Sequence, residues 1–218
     1  MSTLDGTEQL NMMQDMAILY QNIDHLLLNM PKRAIQFIAS RTGEGTSFIV
    51  REFASLARNS FGKSVLIIDG NTRSLAQCAF FEHSPGMTLV DVLADPKLQI
   101  GEALHKANNS DLFISAIAQR DAAVYGVLDP NTIRDLLNSL KEQFDLIVID
   151  SAPALSTADG LCISSSVDGV VLVIEAENTR WPVAEEAKDR IAMHGGNLLG
   201  IVLNKRQYYI PDFIYKHL

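Results

Sequence analysis

The sequence predicts an α/β fold: a doubly wound, mostly parallel sheet with helices on both faces. Short apolar runs alternate along the chain with segments of helical spacing. Several of these runs are continuously apolar, which is typical of strands that are covered on both faces. Glycine-bearing or charged residues follow four of the runs, at the strand ends where open α/β sheets bind ligands.

The predicted elements follow in a regular order. The predicted strands are 34–39, 64–69, 111–117, 144–150, 168–175 and 198–204. The predicted helices between them are 48–60, 131–142 and 182–194. The last helix opens with Pro182, and proline is favoured in a first helical turn. Because no repeat or low-complexity linker interrupts this order, we expect one domain over 1–218.

Two terminal segments flank the predicted sheet. We expect an N-terminal helical extension over 1–30, in which apolar side chains share one helical face. That face consists of Met12, Met16, Leu19, Tyr20, Ile23 and Leu27. We expect this face to pack on the sheet or to contact a partner, which includes a second copy of the chain in a homo-oligomer. The C-terminal tail, 205–218, contains three tyrosines, and one interpretation is an aromatic segment that packs on the domain.

Charge and composition exclude several function classes. The net charge of −8 and the pI of about 5.0 argue against nucleic acid as a non-specific partner. No apolar run approaches the roughly 20 residues that span a bilayer, so we expect no direct membrane insertion. The N-terminus has neither the basic nor the apolar region of a signal peptide, which predicts a cytoplasmic protein. Cys78 and Cys162 are predicted to be free thiols, and the histidines show no metal-ligand spacing.

The segment SRTGEGTS, which begins at Ser40, lies between the first predicted strand and the first predicted helix. It approximates G-x-x-x-x-G-K-[ST], in which glycines let backbone N–H groups approach phosphate at a helix N-terminus. Gly43 and Gly45 remain, and Ser47 is placed to contact Mg²⁺, but Thr46 replaces the lysine. The alternative is a tight turn in which Thr46 or Ser47 caps the helix.

Acidic residues end two other strands. Asp69 begins the segment DGNTR, which also contains Asn71 and Arg73, and Asp150 ends an apolar run. A carboxylate at such a position holds Mg²⁺ directly or through water. Asn204 ends the last predicted strand. Since the carboxyl ends of parallel strands meet at one edge, we expect these residues to converge with the glycine-bearing loop.

The segments GEGTS, VLIIDGNTR, FDLIVIDSAPALSTADG and GIVLNK, in this order, resemble the bacterial tyrosine kinases of capsule and exopolysaccharide synthesis. These kinases belong to the deviant Walker P-loop ATPases, which include the MinD and ParA types. The resemblance covers about residues 11 to 218. It implies a cytoplasmic domain, peripheral to the inner membrane through its partner, a membrane-spanning polysaccharide chain-length regulator or export protein.

The resemblance also implies roles for individual residues, with ATP or ADP and Mg²⁺ as cofactors. The implied nucleotide-binding residues are Gly43, Glu44, Gly45, Thr46, Ser47, Arg73 and Asn204. The implied catalytic residues are Asp69, Asn71 and Asp150, and the implied Mg²⁺ ligands are Ser47, Asp69 and Asp150. The implied phosphate acceptors are Tyr208, Tyr209 and Tyr215.

Three motifs depart from the family pattern. Thr46 removes the positive charge that the loop lysine places at the γ-phosphate, and Asn71 replaces a carboxylate with an amide that cannot act as a base. The family's E-x-x-R-x-x-R ring motif falls on Gln14, Ala17 and Tyr20. These departures predict a catalytically impaired protein that serves as a regulatory partner.

Two further hypotheses remain open. In one, the chain is an active tyrosine autokinase in which Arg41 or Arg73 replaces the lost lysine. In the other, it is a positioning ATPase of the MinD or ParA type, although those loops carry lysines. A dinucleotide oxidoreductase is a poor match because the loop is not G-x-G-x-x-G.

Overall fold

The computed structural model describes residues 6–84, 86–107, 112–119 and 129–206. The strands are β1 Arg33–Ala39, β2 Val65–Gly70, β3 His105–Lys106, β4 Phe113–Ala116, β5 Leu146–Ser151, β6 Gly169–Glu175 and β7 Leu198–Asn204. The helices are α1 Gly6–Leu26, α2 Thr46–Phe61, α3 Ala76–Phe80, α4 Leu89–Ala94, α5 Pro130–Lys141, α6 Asp159–Cys162 and α7 Trp181–Met193. A 3₁₀ helix spans Ile100–Ala103.

The seven strands form one sheet in the order β3-β4-β2-β5-β1-β6-β7. Every neighbouring pair is parallel except the antiparallel pair β3–β4. The predicted doubly wound, mostly parallel fold is therefore confirmed, and all six predicted strands lie within two residues of the observed ones. The short elements α3, α4, α6 and β3 were not predicted.

The core lies on both faces of the sheet. β1, β2 and β5 are buried along their whole length, which explains their continuously apolar sequences. Helix α2 covers one face with Ile49, Val50 and Phe53, and α5 covers the other with Ile133 and Leu137.

The apolar face predicted over 11–27 packs on α2. Its residues Met16, Tyr20, Ile23 and Leu27 are buried in the same core as α2. The ring of Tyr20 stacks on that of Phe61, with 4.0 Å between centroids. This face therefore packs α1 against the layer of helices that covers the sheet. No helix in the described ranges is both long enough and apolar enough to cross a bilayer.

The topology brings four segments to one edge of the sheet. β1, β2, β5 and β7 are parallel, so their carboxyl ends point the same way. β2 and β5 are neighbours, and their register places Asp69 directly beside Asp150. The two acidic strand ends predicted to converge are therefore adjacent.

Candidate functional site

The loop between β1 and α2 contains two glycines with unusual backbone conformations. Gly43 and Gly45 adopt left-handed conformations, with φ of 95° and 90°. Helix α2 begins directly afterwards at Thr46, and Gly45 is its N-cap residue without any side-chain capping hydrogen bond. The alternative in which Thr46 or Ser47 caps the helix is therefore wrong. The first N–H groups of α2 instead face the loop, where a helix terminus attracts anions.

Glu44 holds this loop in shape from within. Its carboxylate is buried and accepts hydrogen bonds from Ser40 Oγ at 2.7 and 2.9 Å and from the Arg41 N–H at 2.9 Å. The Thr179 hydroxyl donates a further hydrogen bond to it. The Glu44 side chain thus anchors the loop to the segment that follows β6.

The end of β7 closes on the same loop. Asn204 Nδ2 donates to Glu44 O at 2.8 Å, and Lys205 Nζ donates to Gly43 O at 2.7 Å. A Cβ atom added to Gly45 would lie 2.1 Å from Asn204 Nδ2. The second loop glycine is therefore required for two reasons, its backbone conformation and the close approach of Asn204.

Asp69 and Asp150 form a buried acidic pair. Asp69 Oδ2 accepts from the N–H groups of Gln77 at 2.8 Å and Cys78 at 3.1 Å. Burial, and then the charge of Asp150, raise the pKa of Asp69 to about 7. Burial also raises the pKa of Asp150, against hydrogen bonds from the side chains of Ser47 and Gln77. Two carboxylates whose charged forms are disfavoured at a strand edge are typical of a functional site.

The segment after β2 forms a turn. The Asn71 carbonyl accepts from the N–H groups of Ser74 at 3.1 Å and Leu75 at 2.9 Å. The Asn71 side chain is half-buried and that of Arg73 is exposed. Both residues therefore lie at the edge where Asp69 ends its strand, and the Asn71 backbone N–H hydrogen-bonds the Asp69 carboxylate.

Four further residues of this site were not predicted as site residues: Gln77, Arg51, Thr179 and Lys205. Gln77 is fully buried, and its Oε1 accepts from Arg51 at 3.4 Å. The Arg51 guanidinium lies over the Phe80 ring, 4.2 Å from its centroid. Lys205 alone had a detectable signal, since it directly follows Asn204 at a strand end. Tyr208, Tyr209 and Tyr215 lie outside the described residues.

The oxygen atoms of the site are of the kind that a hydrated divalent cation prefers. Among the described residues, the buried oxygens Thr46 Oγ1 and Asp69 Oδ1 have no hydrogen-bond partner. Buried polar atoms are normally paired, so both are available to a ligand. With Ser47 and Asp150 they provide the hard oxygen donors that Mg²⁺ prefers. Two groups oppose a cation here: the Gln77 amide nitrogen donates to Asp150 Oδ2 at 2.6 Å, and the positive charge of Arg51 acts on the same carboxylate.

Sequence comparison identifies the family. The family model described as AAA domain matches residues 32–181, more than half of the chain. The tyrosine-protein kinase CpsD of Streptococcus agalactiae is 28% identical over 166 residues, which is 76% of this chain and 72% of that protein. The tyrosine-protein kinase YwqD of Bacillus subtilis is 26% identical over 188 residues, which is 85% of this chain and 78% of that protein.

Structure comparison agrees on the fold. The kinase domain of the Escherichia coli tyrosine kinase ETK superposes with a TM-score of 0.81 at 19% identity, covering 91% of this chain and 78% of that one. The septum site-determining protein MinD of Pyrococcus horikoshii, complexed with Mg-ADP, gives a TM-score of 0.61 at 21% identity, covering 85% and 76%. The loop, the acidic pair and these matches together lead to one conclusion: the chain belongs to the AAA domain family and is similar to bacterial tyrosine kinases.

Proposed function

We propose that this chain is a tyrosine-kinase-like protein of capsule or exopolysaccharide biosynthesis that acts as a regulatory partner and transfers phosphate poorly. The observation that supports the proposal most is the environment of Thr46. It occupies the lysine position of the loop with a buried, uncharged hydroxyl that has no hydrogen-bond partner among the described residues. The left-handed Gly43 and Gly45 and the start of α2 at Thr46 support a loop derived from a phosphate-binding one.

The chemistry follows from charge. Phosphoryl transfer relies on positioning and on positive charge near the transferring phosphate. In this site Ser47, Asp69 and Asp150 would hold Mg²⁺, which would supply charge to the phosphates when bound. Thr46 adds none, and the Asn71 amide cannot accept the proton of an incoming hydroxyl. We therefore expect nucleotide binding to be weak and phosphoryl transfer to be slow.

A second candidate is an active autokinase in which another cation serves the loop. Lys205 favours it, because its Nζ already donates to Gly43 O on the loop. The same ammonium pairs with Glu175 at 3.1 Å, so it would have to leave two partners to reach a phosphate. Arg41 and Arg73, the cations proposed from the sequence, have exposed side chains at this edge.

The partner in this proposal is a membrane-spanning chain-length regulator or export protein, with the chain at the cytoplasmic side of the inner membrane. The resemblance to the exopolysaccharide tyrosine kinases supports this assignment. Exposed apolar side chains offer surfaces for such contacts or for a homo-oligomer. They include Leu10, Met13, Ile18 and Leu26 on α1, and Ile201 and Leu203 on β7.

A complementation experiment tests the proposal. A deletion strain receives either the wild-type chain or Asp150→Asn, which removes a carboxylate that Mg²⁺ would need but keeps an oxygen to accept from Gln77. We expect both to restore polysaccharide chain length, because the role does not depend on phosphoryl transfer. Restoration by the wild type alone would overturn the proposal.

The second candidate is tested with radiolabelled ATP. The purified full chain should show no phosphotyrosine above the Asp150→Asn background. If it does show phosphotyrosine, Lys205→Met decides which cation is responsible. Lys188→Met is the matched control, since Lys188 lies on α7 with a half-exposed side chain paired to Asp189.

A further inference from the structure

Gln77 connects the three elements of the candidate site. It lies in α3, directly after the turn that follows β2, and its side chain is fully buried. Its backbone N–H donates to Asp69. Its side-chain nitrogen donates to Asp150 Oδ2 at 2.6 Å and to Ser47 O at 2.9 Å. One residue therefore contacts the ends of β2 and β5 and the start of α2.

The Gln77 amide nitrogen donates hydrogen bonds at the place where Asp150 would contact a bound cation. A carboxamide nitrogen carries two hydrogens, and both are used here, one on each acceptor. The Asp150 carboxylate needs either a cation or hydrogen-bond donors, because an ionised buried group without a partner is strongly disfavoured. The amide meets part of this need with a neutral group, beside the Ser47 hydroxyl and the charge of Arg51. Its hydrogens direct partial positive charge into the space that a bound cation would need.

The orientation of the amide is fixed from the opposite side. Gln77 Oε1 accepts from Arg51 Nη1 at 3.4 Å, and that guanidinium is itself packed over Phe80. Reversing the amide would place Oε1 against the Asp150 carboxylate and its nitrogen against Arg51. Both contacts would then be repulsive, so the donor stays directed at Asp150.

We propose that Gln77 is a specificity-determining residue that satisfies Asp150 in place of a divalent cation and so holds the acidic pair in a cation-free state. The inference deepens the proposed function and rests on it, since a site that favours the cation-free state suits a regulatory partner. This effect adds to the loss of positive charge at Thr46.

Mn²⁺ alone, followed by the electron paramagnetic resonance signal of the free ion, tests the proposal on the full chain. Removing a hydrogen bond to a charged group changes an equilibrium by about tenfold or more. Gln77→Met should therefore bind Mn²⁺ at least tenfold more tightly than the wild type. Asp150→Asn in the same background should remove the gain. Gln143→Met, at an exposed glutamine after α5, should leave the affinity unchanged.

Two results would overturn the proposal. One is equal or weaker Mn²⁺ binding by a folded Gln77→Met. The other needs no Gln77 variant: micromolar Mn²⁺ binding by the wild type that Asp150→Asn abolishes. Neither measurement uses nucleotide, so phosphotyrosine formation would end the proposed function while the Mn²⁺ comparison still decides the role of Gln77. Conversely, failure here leaves the Thr46 argument intact.

Discussion

The two edges of the sheet use their charges in opposite ways. At the amino edge, Asp168 accepts from the Ala34 N–H at 2.6 Å and pairs with Lys141 at 2.7 Å. Asp145, before β5, accepts from the N–H and the hydroxyl of Ser64, both at 2.9 Å. The Ser64 N–H, above all, lowers the pKa of Asp145. The charged groups named at this edge therefore all have partners, and those of Asp145 favour its ionised form.

The carboxyl edge shows the reverse. Asp69 and Asp150 lie side by side in register, and burial raises the pKa of both. Asp69 Oδ1 and Thr46 Oγ1 lack hydrogen-bond partners within the described ranges. The amino edge therefore contributes stability, whereas the carboxyl edge keeps groups that lower stability, as functional sites do.

The contrast between the two edges predicts a large effect of Asp69 on how the free energy of unfolding changes with pH. Because the pKa of Asp69 is raised in the folded protein, its contribution to stability is fully present below the pKa that Asp69 has in the unfolded chain. This contribution is lost as pH rises through about 7. The change from 3.8 to about 7 corresponds to roughly 4 kcal/mol. Asp69→Asn should therefore gain stability relative to the wild type between pH 4 and pH 8, measured by urea unfolding in EDTA.

Asp145→Asn is the opposite-sign control. Because the pKa of Asp145 is lowered, its contribution is present above the pKa of the unfolded chain and is lost as pH falls. Relative to the wild type, this variant should therefore lose stability as pH rises from 3 to 6. If the two variants followed the same pH trend, the contrast between the edges would be wrong.

A smaller effect sharpens the role of the loop glycines. Gly43→Ala and Gly45→Ala both place a side chain at positive φ, which costs about 1–2 kcal/mol. Only Gly45→Ala also meets Asn204, and losing that hydrogen bond to Glu44 adds about 1 kcal/mol. Gly45→Ala should therefore be the more destabilised variant in chemical denaturation.

Adding Asn204→Ala isolates this contact. It should reduce the cost of Gly45→Ala to that of Gly43→Ala, since nothing lies within 4 Å of a Cβ at Gly43. Equal costs for the two glycine variants in the wild-type background would show that β7 does not close on the loop.

The fold was predictable because each central strand is marked in the sequence by an uninterrupted apolar run. β1, β2 and β5 are covered on both faces, so their apolar runs are uninterrupted. The meeting of Asp69 and Asp150 was also predictable, since it follows from parallel strands ending at one edge.

The contacts that complete the site were not predictable in the same way. Gln77 lies in a five-residue helix without periodicity, and its role depends on acceptors 30 and 73 residues away in the chain. Thr179 reaches Glu44 across 135 residues. Such polar contacts depend on the three-dimensional arrangement, because a single glutamine or threonine is compatible with many surroundings.

The most direct test of the central claim is a calorimetric titration with Mg-ATP and Mg-ADP. It compares the wild type with the double variant Thr46→Lys, Asn71→Asp, which restores the loop cation and the second carboxylate. The double variant should bind Mg-ATP at least tenfold more tightly than the wild type, a difference of about 1.4 kcal/mol in binding free energy. Micromolar binding by the wild type, unchanged in the double variant, would contradict it.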